Sequence, residues 1–281
     1  MTTPHGFAGL RVAAFESRMA EEMQRLIERY GGQPLVAPSM QEVPLQDNNE
    51  VLQFGEQLIA GHVDMVILLT GVGTRVMLEV LLTRYRSAQI TGSLAWTELV
   101  VRGPKPKGVL REFGLTPSID VPEPNTWRDI LAALDREKPA AGLRIAVQEY
   151  GAINVELIEG LRGRGAQVTR VPVYRWTLPD DLAPFQKVLD AILDERVDVL
   201  LVTNAVQIDH ARQVLDRTSR RDQFRRALTN LAVASIGPTA SERLRSYGFP
   251  VDLEPSHPKM GILVKECAER AGQILQSKRE P

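Results

Sequence analysis

The sequence predicts an α/β fold made of two similar parallel-sheet lobes. Three observations lead to this prediction: a long internal duplication, short apolar runs of strand length, and amphipathic segments of helix length that alternate with those runs. Buried parallel strands are apolar along their whole length because helices cover both faces of the sheet. Strands and helices that alternate in this way are typical of α/β proteins.

The duplication appears when distant stretches are aligned. "GLRVAAFESRMAEEMQRLIERYGGQPLVAP" begins at Gly9, and "GLRIAVQEYGAINVELIEGLRGRGAQVTRVP" begins at Gly142, 133 residues later. Two further blocks keep an offset of 134: "VDMVILLT" at Val63 matches "VDVLLVT" at Val197, and "RGPKPKGVLREFGL" matches "IGPTASERLRSYGF". Three matched blocks in one order indicate a duplicated domain, because the period is far longer than that of any solenoid repeat.

The individual elements follow from local pattern. The predicted strands are "RVAAF", "MVILL", "RIAVQ", "VLLVT" and "LAVASI". Helices are predicted where apolar residues recur at helical spacing, as at Met23 and Ile27 or at Leu157 and Leu161. The glycines that follow predicted helices are expected to be C-caps; they are Gly31, Gly114, Gly165 and Gly248.

Two extended, proline-marked segments are expected to connect the lobes. They are "VAPSMQEVPLQ" at 36–46 and "VPVYRWTLPDD" at 171–181, and they occupy equivalent positions in the two halves. If each crosses to the other lobe, one lobe is discontinuous: residues 1–40 plus 176–281 form lobe 1, and residues 41–175 form lobe 2. A plain tandem division near residue 140 is the alternative.

The composition is that of a soluble globular protein. Hydrophobic residues make up 43% and charged residues 25%, and a net charge of −1 gives no basic field for nucleic acid. The single cysteine, Cys267, rules out an internal disulfide, and its helical surroundings indicate a structural thiol. The N-terminus lacks a signal-peptide pattern and no apolar run could span a bilayer, so we expect a cytoplasmic protein.

Six loops are predicted at the carboxyl ends of the strands, where open parallel sheets bind ligands. Their sequences are "FESR", "LTGVGTR", "RGPKPK", "QEYGAIN", "TNAVQ" and "IGPTAS". Each opens a helix whose free N–H groups favour anions. For any single Thr or Asn, capping its own helix is the commoner role. Six such loops in two lobes nevertheless favour an anion-binding cleft. The nearby cations, each by itself more often a solvated charge, are Arg75, Arg102, Lys105, Lys107 and Arg175.

Several familiar kinds of site are excluded by motif. "GVGTRV" has Val76 where the dinucleotide fingerprint needs Gly or Ala, and the sequence has no G-x-x-x-x-G-K-[ST] loop. It has no G-x-S-x-G elbow, and its four histidines lack metal-ligand spacing. The sequence therefore predicts no metal, no nucleotide and no catalytic triad, and a cleft of this kind suits a small, flexible polyanion.

The sequence resembles the uroporphyrinogen-III synthase family over nearly its whole length. The resemblance rests on the duplicated pattern, on "LTGVGTR", on "QEYG" leading to "VPVY" within 148–174, and on "ASIGPTASERLRSYGFPV" at 234–251. The ordered set, rather than any one motif, carries it. It implies two flavodoxin-like lobes joined by two extended connectors, with the active-site cleft between the lobes.

The resemblance also implies a cofactor-free lyase of tetrapyrrole biosynthesis. Its substrate would be hydroxymethylbilane, a linear tetrapyrrole that carries eight carboxylates. Such an enzyme expels the hydroxyl group as water, inverts ring D through a spiro intermediate and closes the ring as uroporphyrinogen III. The family further suggests a monomer with neither a nucleic-acid nor a membrane partner, and a transient handover of substrate from the preceding enzyme.

The candidate site residues are carried over by resemblance. Tyr174 in "VPVYRW" matches the family's interlobe tyrosine, the candidate acid for the leaving hydroxyl; a packing role at the hinge is the alternative. The candidate substrate-binding residues, expected to offer hydroxyls, cations and closely approached backbone, are Thr70, Gly71, Val72, Gly73, Arg75, Gly103, Lys105, Tyr150, Gly151, Thr203, Asn204, Gly237 and Thr239. "TGVG", "TNAV" and "RGPKPKG" depart from the family's commoner loops, which leaves the individual carboxylate contacts open.

Two other interpretations remain open from sequence. One is a non-enzymatic two-lobed protein that binds or senses a small anion, because it shares the fold signals and the lack of catalytic motifs. Regulators of that kind usually carry a DNA-binding domain, and the sequence shows no helix-turn-helix or basic module. The other is a degenerate synthase that has lost its activity.

Overall fold

The computed structural model describes residues 6–44, 48–149, 151 and 153–279. The chain divides into two compact units. Unit 1 comprises Met1–Gln41 and Thr177–Pro281, so it is assembled from both ends of the sequence. Unit 2 is the continuous segment Glu42–Trp176.

Unit 1 contains a four-stranded parallel sheet with helices on both faces. Its strands are β1 (Arg11–Ala14), β2 (Gln33–Val36), β10 (Val199–Val202) and β11 (Ala232–Ser235). Its helices are α1 (Ala20–Arg29), α8 (Ala183–Leu193), α9 (Ala205–Arg217), α10 (Arg221–Thr229), α11 (Pro238–Ser246) and α12 (Met260–Arg279). The strand order is β11-β10-β1-β2, and every pairing is parallel.

Unit 2 contains a five-stranded parallel sheet. Its strands are β4 (Met65–Leu68), β5 (Glu98–Val101), β6 (Ile119–Asp120), β7 (Arg144–Gln148) and β8 (Gln167–Val171). Its helices are α2 (Asn49–Ile59), α3 (Gly71–Leu82), α4 (Ser87–Ala95), α5 (Pro104–Glu112), α6 (Trp127–Glu137) and α7 (Val155–Arg162). The strand order is β6-β5-β4-β7-β8, again all parallel.

The apolar strands divide their side chains between two cores, one on each face of a sheet. In β10, Leu200 and Val202 belong to one buried cluster of unit 1, and Val199 and Leu201 belong to the other. Successive side chains of a strand point to opposite faces, so a strand covered on both faces must be apolar at every position. Unit 2 is built in the same way around two clusters of its own. The predicted α/β fold with two similar parallel-sheet lobes is confirmed.

A pair of short strands lies within the two predicted connectors. They are β3 (Gln41–Pro44) and β9 (Tyr174–Thr177), and they form a separate two-stranded sheet. Just beyond β9, the Asp180 carboxylate accepts a hydrogen bond from the Gln41 side chain at 2.8 Å. The two connector segments are therefore held together by strand pairing and by a side-chain hydrogen bond.

The duplication extends to an ion pair at the start of the central strands. In unit 1 the backbone N–H and Nε of Arg11 both donate to Asp198 Oδ2 at 2.9 Å. In unit 2 the backbone N–H and Nε of Arg144 donate to Asp64 Oδ2 at 2.7 and 2.9 Å. These hydrogen bonds lower the Asp64 pKa from its usual 3.8 to about 2, since they favour the charged carboxylate.

The four glycines predicted to end helices have positive φ values, between 71° and 84°. Glycine adopts this left-handed conformation without the steric cost that a Cβ brings, which is why it ends helices so often. Among the described residues, no helix is both long and apolar enough to cross a membrane.

Candidate functional site

Each sheet has one point where the chain turns away in opposite directions. In unit 2 the neighbours β4 and β7 diverge, because β4 leads outward to β5 and β7 leads outward to β8. In unit 1 the corresponding neighbours are β1 and β10. Open parallel sheets bind ligands beyond the carboxyl ends of the strands at such points. The candidate site of each unit is therefore this edge of its sheet, called here the strand-end edge.

Thr70 connects β4 to α3 and caps the helix. Its backbone is extended, and its Oγ1 accepts a hydrogen bond from the Gly73 N–H at 3.1 Å. The Thr74 hydroxyl in turn donates to the Thr70 carbonyl at 2.8 Å. None of the described residues accepts a hydrogen bond from the N–H groups of Gly71 and Val72. The first turn of α3 thus keeps two open donors at the positive end of the helix dipole.

Gln148, which is not among the predicted site residues, links the end of β7 to the loop that follows β4. Its side chain is fully buried, and its Oε1 accepts hydrogen bonds from the backbone N–H groups of Leu69 and Thr70, both at 3.3 Å. Its Nε2 donates to the Glu149 carbonyl. A Cβ on Gly73 would lie 2.1 Å from that Nε2. The absence of a side chain at Gly73 therefore makes room for Gln148.

The first turn of α5 lies directly against the first turn of α3. Gly71 makes this approach possible, because a Cβ there would lie 3.0 Å from the Lys105 carbonyl oxygen. Gly103 caps α5 with φ 153° and ψ −168°, a conformation that side chains rarely adopt, and Pro104 follows at the first helical position. The Lys105 side chain is exposed. Two helix N-termini therefore lie side by side at this edge, and Lys105 belongs to the first turn of the second helix.

Arg75 and Val72 occupy the outer side of α3. The Arg75 guanidinium donates two hydrogen bonds of 2.7 Å to the Glu112 carboxylate, and this pairing raises the Arg75 pKa. Arg75 is thus held in a surface ion pair on the side of α5. Val72 is 44% exposed.

Gly151 follows β7 with φ 74° and lies under the Trp176 side chain. A Cβ at this position would lie 1.6 Å from Trp176 Cδ1. The Gly151 carbonyl accepts a hydrogen bond from the Trp176 N–H at 3.2 Å, and Gly151 forms a bridge with Arg175. Gly151 therefore packs against β9. Tyr150, predicted to bind substrate, lies outside the described residues.

Tyr174 begins β9 and is only 4% exposed. Its ring belongs to a hydrophobic cluster of unit 2 that also contains Val171 and Val173. It meets the Trp176 ring edge to face, with centroids 5.6 Å apart. The aromatic ring of Tyr174 thus packs in a hydrophobic cluster of unit 2.

At the strand-end edge of unit 1, Thr203 is fully engaged by its own unit. Its hydroxyl donates to the Glu16 carboxylate at the end of β1 and accepts a hydrogen bond from Gln207 Nε2 at 2.8 Å. Gln207 is buried, and its Oε1 accepts the backbone N–H groups of Thr203 and Asn204 at 2.9 and 3.3 Å. Neither Glu16 nor Gln207 was among the predicted site residues.

The helices of this edge begin as those of unit 2 do. Asn204 caps α9, and its Oδ1 accepts a hydrogen bond from the Val206 N–H at 3.0 Å. The counterpart of Thr70 in unit 1 is therefore Asn204, 134 residues later, rather than Thr203. Gly237 caps α11 with extended backbone that does not require glycine. Thr239, in the first turn of α11, is exposed.

Partly exposed apolar side chains flank these edges. In unit 2 they are Val72 on α3 and the pair Ile153 and Val155 at the start of α7, which are 49% and 54% exposed. In unit 1, Met19 precedes α1. Open N–H donors beside apolar side chains suit a ligand that has both carboxylates and apolar rings.

Other reactive groups of the described residues offer no separate catalytic centre. Among the described residues, no cluster of three or more His, Cys, Asp or Glu side chains could hold a metal ion. Cys267 is buried in unit 1, and burial raises its thiol pKa to about 12, so it is not a nucleophile at neutral pH.

Comparison with protein families matches residues 21–265 to the model described as "HEM4: Uroporphyrinogen-III synthase HemD". The chain belongs to the uroporphyrinogen-III synthase HemD family. This assignment confirms the family resemblance inferred from the duplicated pattern and the loops at the strand ends.

Solved structures of this family share the fold. A mutant uroporphyrinogen III synthase from the extremely thermophilic bacterium Thermus thermophilus has a TM-score of 0.73 and 26% identity, with 94% of this chain and 99% of that chain covered. A native crystal form of the wild-type Thermus enzyme has a TM-score of 0.58 and 27% identity, with 94% and 98% covered. The uncharacterised Bacillus subtilis protein YjjA is 25% identical over 271 residues, 94% of this chain and 97% of its own length.

Of the side chains that the sequence did not predict, Gln207 and Gln148 left different signals. Asn204 and Gln207 have the spacing of a capping box, in which the third helical residue reaches back to the cap, and the structure contains that arrangement. Gln148 is a polar residue that ends an otherwise apolar strand, "RIAVQ". Its partners Leu69 and Thr70 lie almost 80 residues away in sequence, so local pattern does not reveal them.

Proposed function

We propose that the chain is a uroporphyrinogen-III synthase that cyclises hydroxymethylbilane with inversion of ring D and loss of water. Family membership supports the substrate class. The geometric observation that carries the proposal is the pair of adjoining helix N-termini in unit 2. The open N–H groups of Gly71 and Val72 there lie beside the first turn of α5, and neither first turn contains an acidic residue. Such a surface binds carboxylates.

The apolar neighbours extend this fit from the carboxylates to the rings. Val72, Ile153 and Val155 present apolar surface along the same edge as the open N–H groups. A pyrrole ring that lies on this surface would bring its acidic side chains toward the helix N-termini. The proposed substrate needs both kinds of contact.

The proposed reaction asks little covalent chemistry of the protein. The terminal hydroxyl takes up a proton and leaves as water, which gives an electrophilic azafulvene. The substituted carbon of ring D attacks it to form the spiro intermediate, and the ring reopens and closes again in the inverted sense with loss of a proton. We assign the first proton to the Tyr174 hydroxyl, because a neutral phenol can donate a hydrogen bond. The remaining task is to hold the chain in the reactive conformation.

Isomer analysis tests this proposal. Hydroxymethylbilane is supplied to the purified protein, the products are oxidised to porphyrins, and the type I and type III isomers are separated by chromatography. We expect mainly type III, whereas the protein-free control gives type I. Only type I product from folded protein would contradict an enzymatic function. Thermal stabilisation by the porphyrinogen without type III product would instead support the anion-binding alternative.

A further inference from the structure

A buried glutamine amide holds the loop between the central strand and its helix in both units. Gln148 Oε1 accepts the N–H groups of Leu69 and Thr70 in unit 2. Gln207 Oε1 accepts those of Thr203 and Asn204 in unit 1. The side chains are 0% and 1% exposed. In each case one oxygen binds two successive N–H groups, and the second of these belongs to the residue that caps the helix.

The two glutamines are not copies of each other. Gln148 ends β7, the neighbouring strand, and its counterpart in unit 1, 133 residues earlier, is Phe15. Gln207 lies in the first turn of α9 itself, and its counterpart in unit 2, 134 residues earlier, is Gly73. A side chain on Gly73 would collide with Gln148 Nε2. The two units therefore hold their loops with glutamines at different positions. Phe15 and Gly73, which occupy the counterpart positions, lack the side-chain amide that makes the contact.

The shared contact sets the direction of the open N–H groups. Thr70 is fixed between the Gln148 oxygen on its N–H and the Gly73 N–H on its hydroxyl. Gly71 and Val72 follow immediately, so the direction of their N–H groups depends on how Thr70 is held. Simple burial of two N–H groups requires acceptors but does not require the same two-fold contact in both units.

We propose that Gln148 and Gln207 are positioning residues that orient the helix N-termini of the substrate site. This inference rests on the proposed function. Neither side chain is exposed, so each acts through the loop rather than on the substrate. Loss of the contact would leave the fold in place but let the N-terminal turn of the helix move. The affinity for the substrate carboxylates would then fall by a larger factor than the rate of the chemical step.

The primary test is Gln148→Met and Gln207→Met, which keep the volume and remove the polar atoms. We expect KM for hydroxymethylbilane to rise about tenfold, because the two hydrogen bonds that hold the loop N–H groups are lost, while kcat changes by less than about threefold. Amide hydrogen exchange should speed up at Leu69 and Thr70 in the first variant and at Thr203 and Asn204 in the second. Gln167→Met, at the exposed start of β8, is the matched control and should change neither KM nor the amide exchange rates.

An exchange of the two arrangements provides the rescue. Gln148→Phe combined with Gly73→Gln would give unit 2 the arrangement of unit 1. Recovery of low KM and slow exchange in this double variant would support positioning. The proposal is overturned if the Met variants lose thermal stability but keep the KM of the parent protein. The parent protein is assayed for isomers alongside, so that failure of the positioning proposal can be told apart from failure of the proposed function. The exchange rates report on the order of the loop in either case.

Discussion

At Gly151 the chain leaves no room for a side chain. Its positive φ and the Trp176 ring above it are two separate requirements for glycine. Gly73 meets only a steric requirement: a Cβ there would collide with the Gln148 amide. A glycine at a strand end leaves space either for a ligand or for a side chain of the same chain, and the local sequence is the same in both cases. That distinction depends on contacts made far along the sequence.

We expect Gly151→Ala to reduce the free energy of unfolding by about 2–4 kcal/mol, because it adds a collision with Trp176 to the cost of left-handed backbone. Gly142→Ala is the matched control: its φ is 76° and no atom lies within 4 Å of the added Cβ, so only the backbone cost of about 1 kcal/mol remains. Urea denaturation followed by circular dichroism measures both. Equal losses in the two variants would contradict a packing role for Gly151.

A substitution at Tyr174 can distinguish the packing of its ring from the chemistry of its hydroxyl. Tyr174→Phe keeps the ring in its hydrophobic cluster, so the free energy of unfolding should change by no more than about 1.5 kcal/mol, the value of one hydrogen bond. If the hydroxyl protonates the leaving group, kcat should fall about 100-fold, a typical loss for a general acid. Single-turnover rates with hydroxymethylbilane measure this. A parent-like rate would reduce Tyr174 to its packing role.

At the scale of elements, the central strands and the helix caps follow closely from sequence. The continuous apolar runs at β1, β4, β7, β10 and β11 were all predicted, and Thr70 and Asn204 are caps, the commoner role for such residues. The strand β5 was not named, because its apolar run "LVV" is only three residues long and gives little periodicity. Its place in the sheet depends on pairing with β4, which is a tertiary interaction.

The ion pair between β4 and β7 makes the stability of unit 2 depend on acidity. The Asp64 pKa is about 2 in the folded chain against its usual 3.8, mainly because of the hydrogen bonds from Arg144. A lowered pKa stabilises the fold fully above the unfolded value, and this stabilisation is lost as the pH falls from about 4 to about 2. We expect Asp64→Asn to unfold more easily than the parent at pH 7.

The difference between the Asp64→Asn variant and the parent should shrink as the pH falls through this range. Urea midpoints measured at several pH values test the prediction. Both side chains are about one-third exposed, so added salt should also reduce the difference at neutral pH. A difference that stays constant from pH 7 to pH 2 would show that the charge of Asp64 does not contribute.

At the scale of the whole molecule, duplication was the decisive sequence signal. It predicted two similar α/β lobes, and the two sheets share strand direction, helix caps and the Arg–Asp pair at the start of the central strands. The similarity is not complete, because the glutamines that hold the strand-end loops differ between the units. The internal duplication therefore predicts the backbone fold of each unit better than it predicts the glutamine side chains that hold the strand-end loops. Those side chains follow from packing within each unit.

The discontinuity of unit 1 has a consequence for synthesis on the ribosome. Residues 42–176 emerge as one complete segment, so unit 2 can begin to fold while the chain is still growing. By contrast, β1 must wait for its partner β10, which follows β2 by more than 160 residues. At about 5–20 residues per second this delay is on the order of ten seconds. During that time one side of β1 is an unpaired strand edge, so we expect chaperones to bind the nascent N-terminal segment.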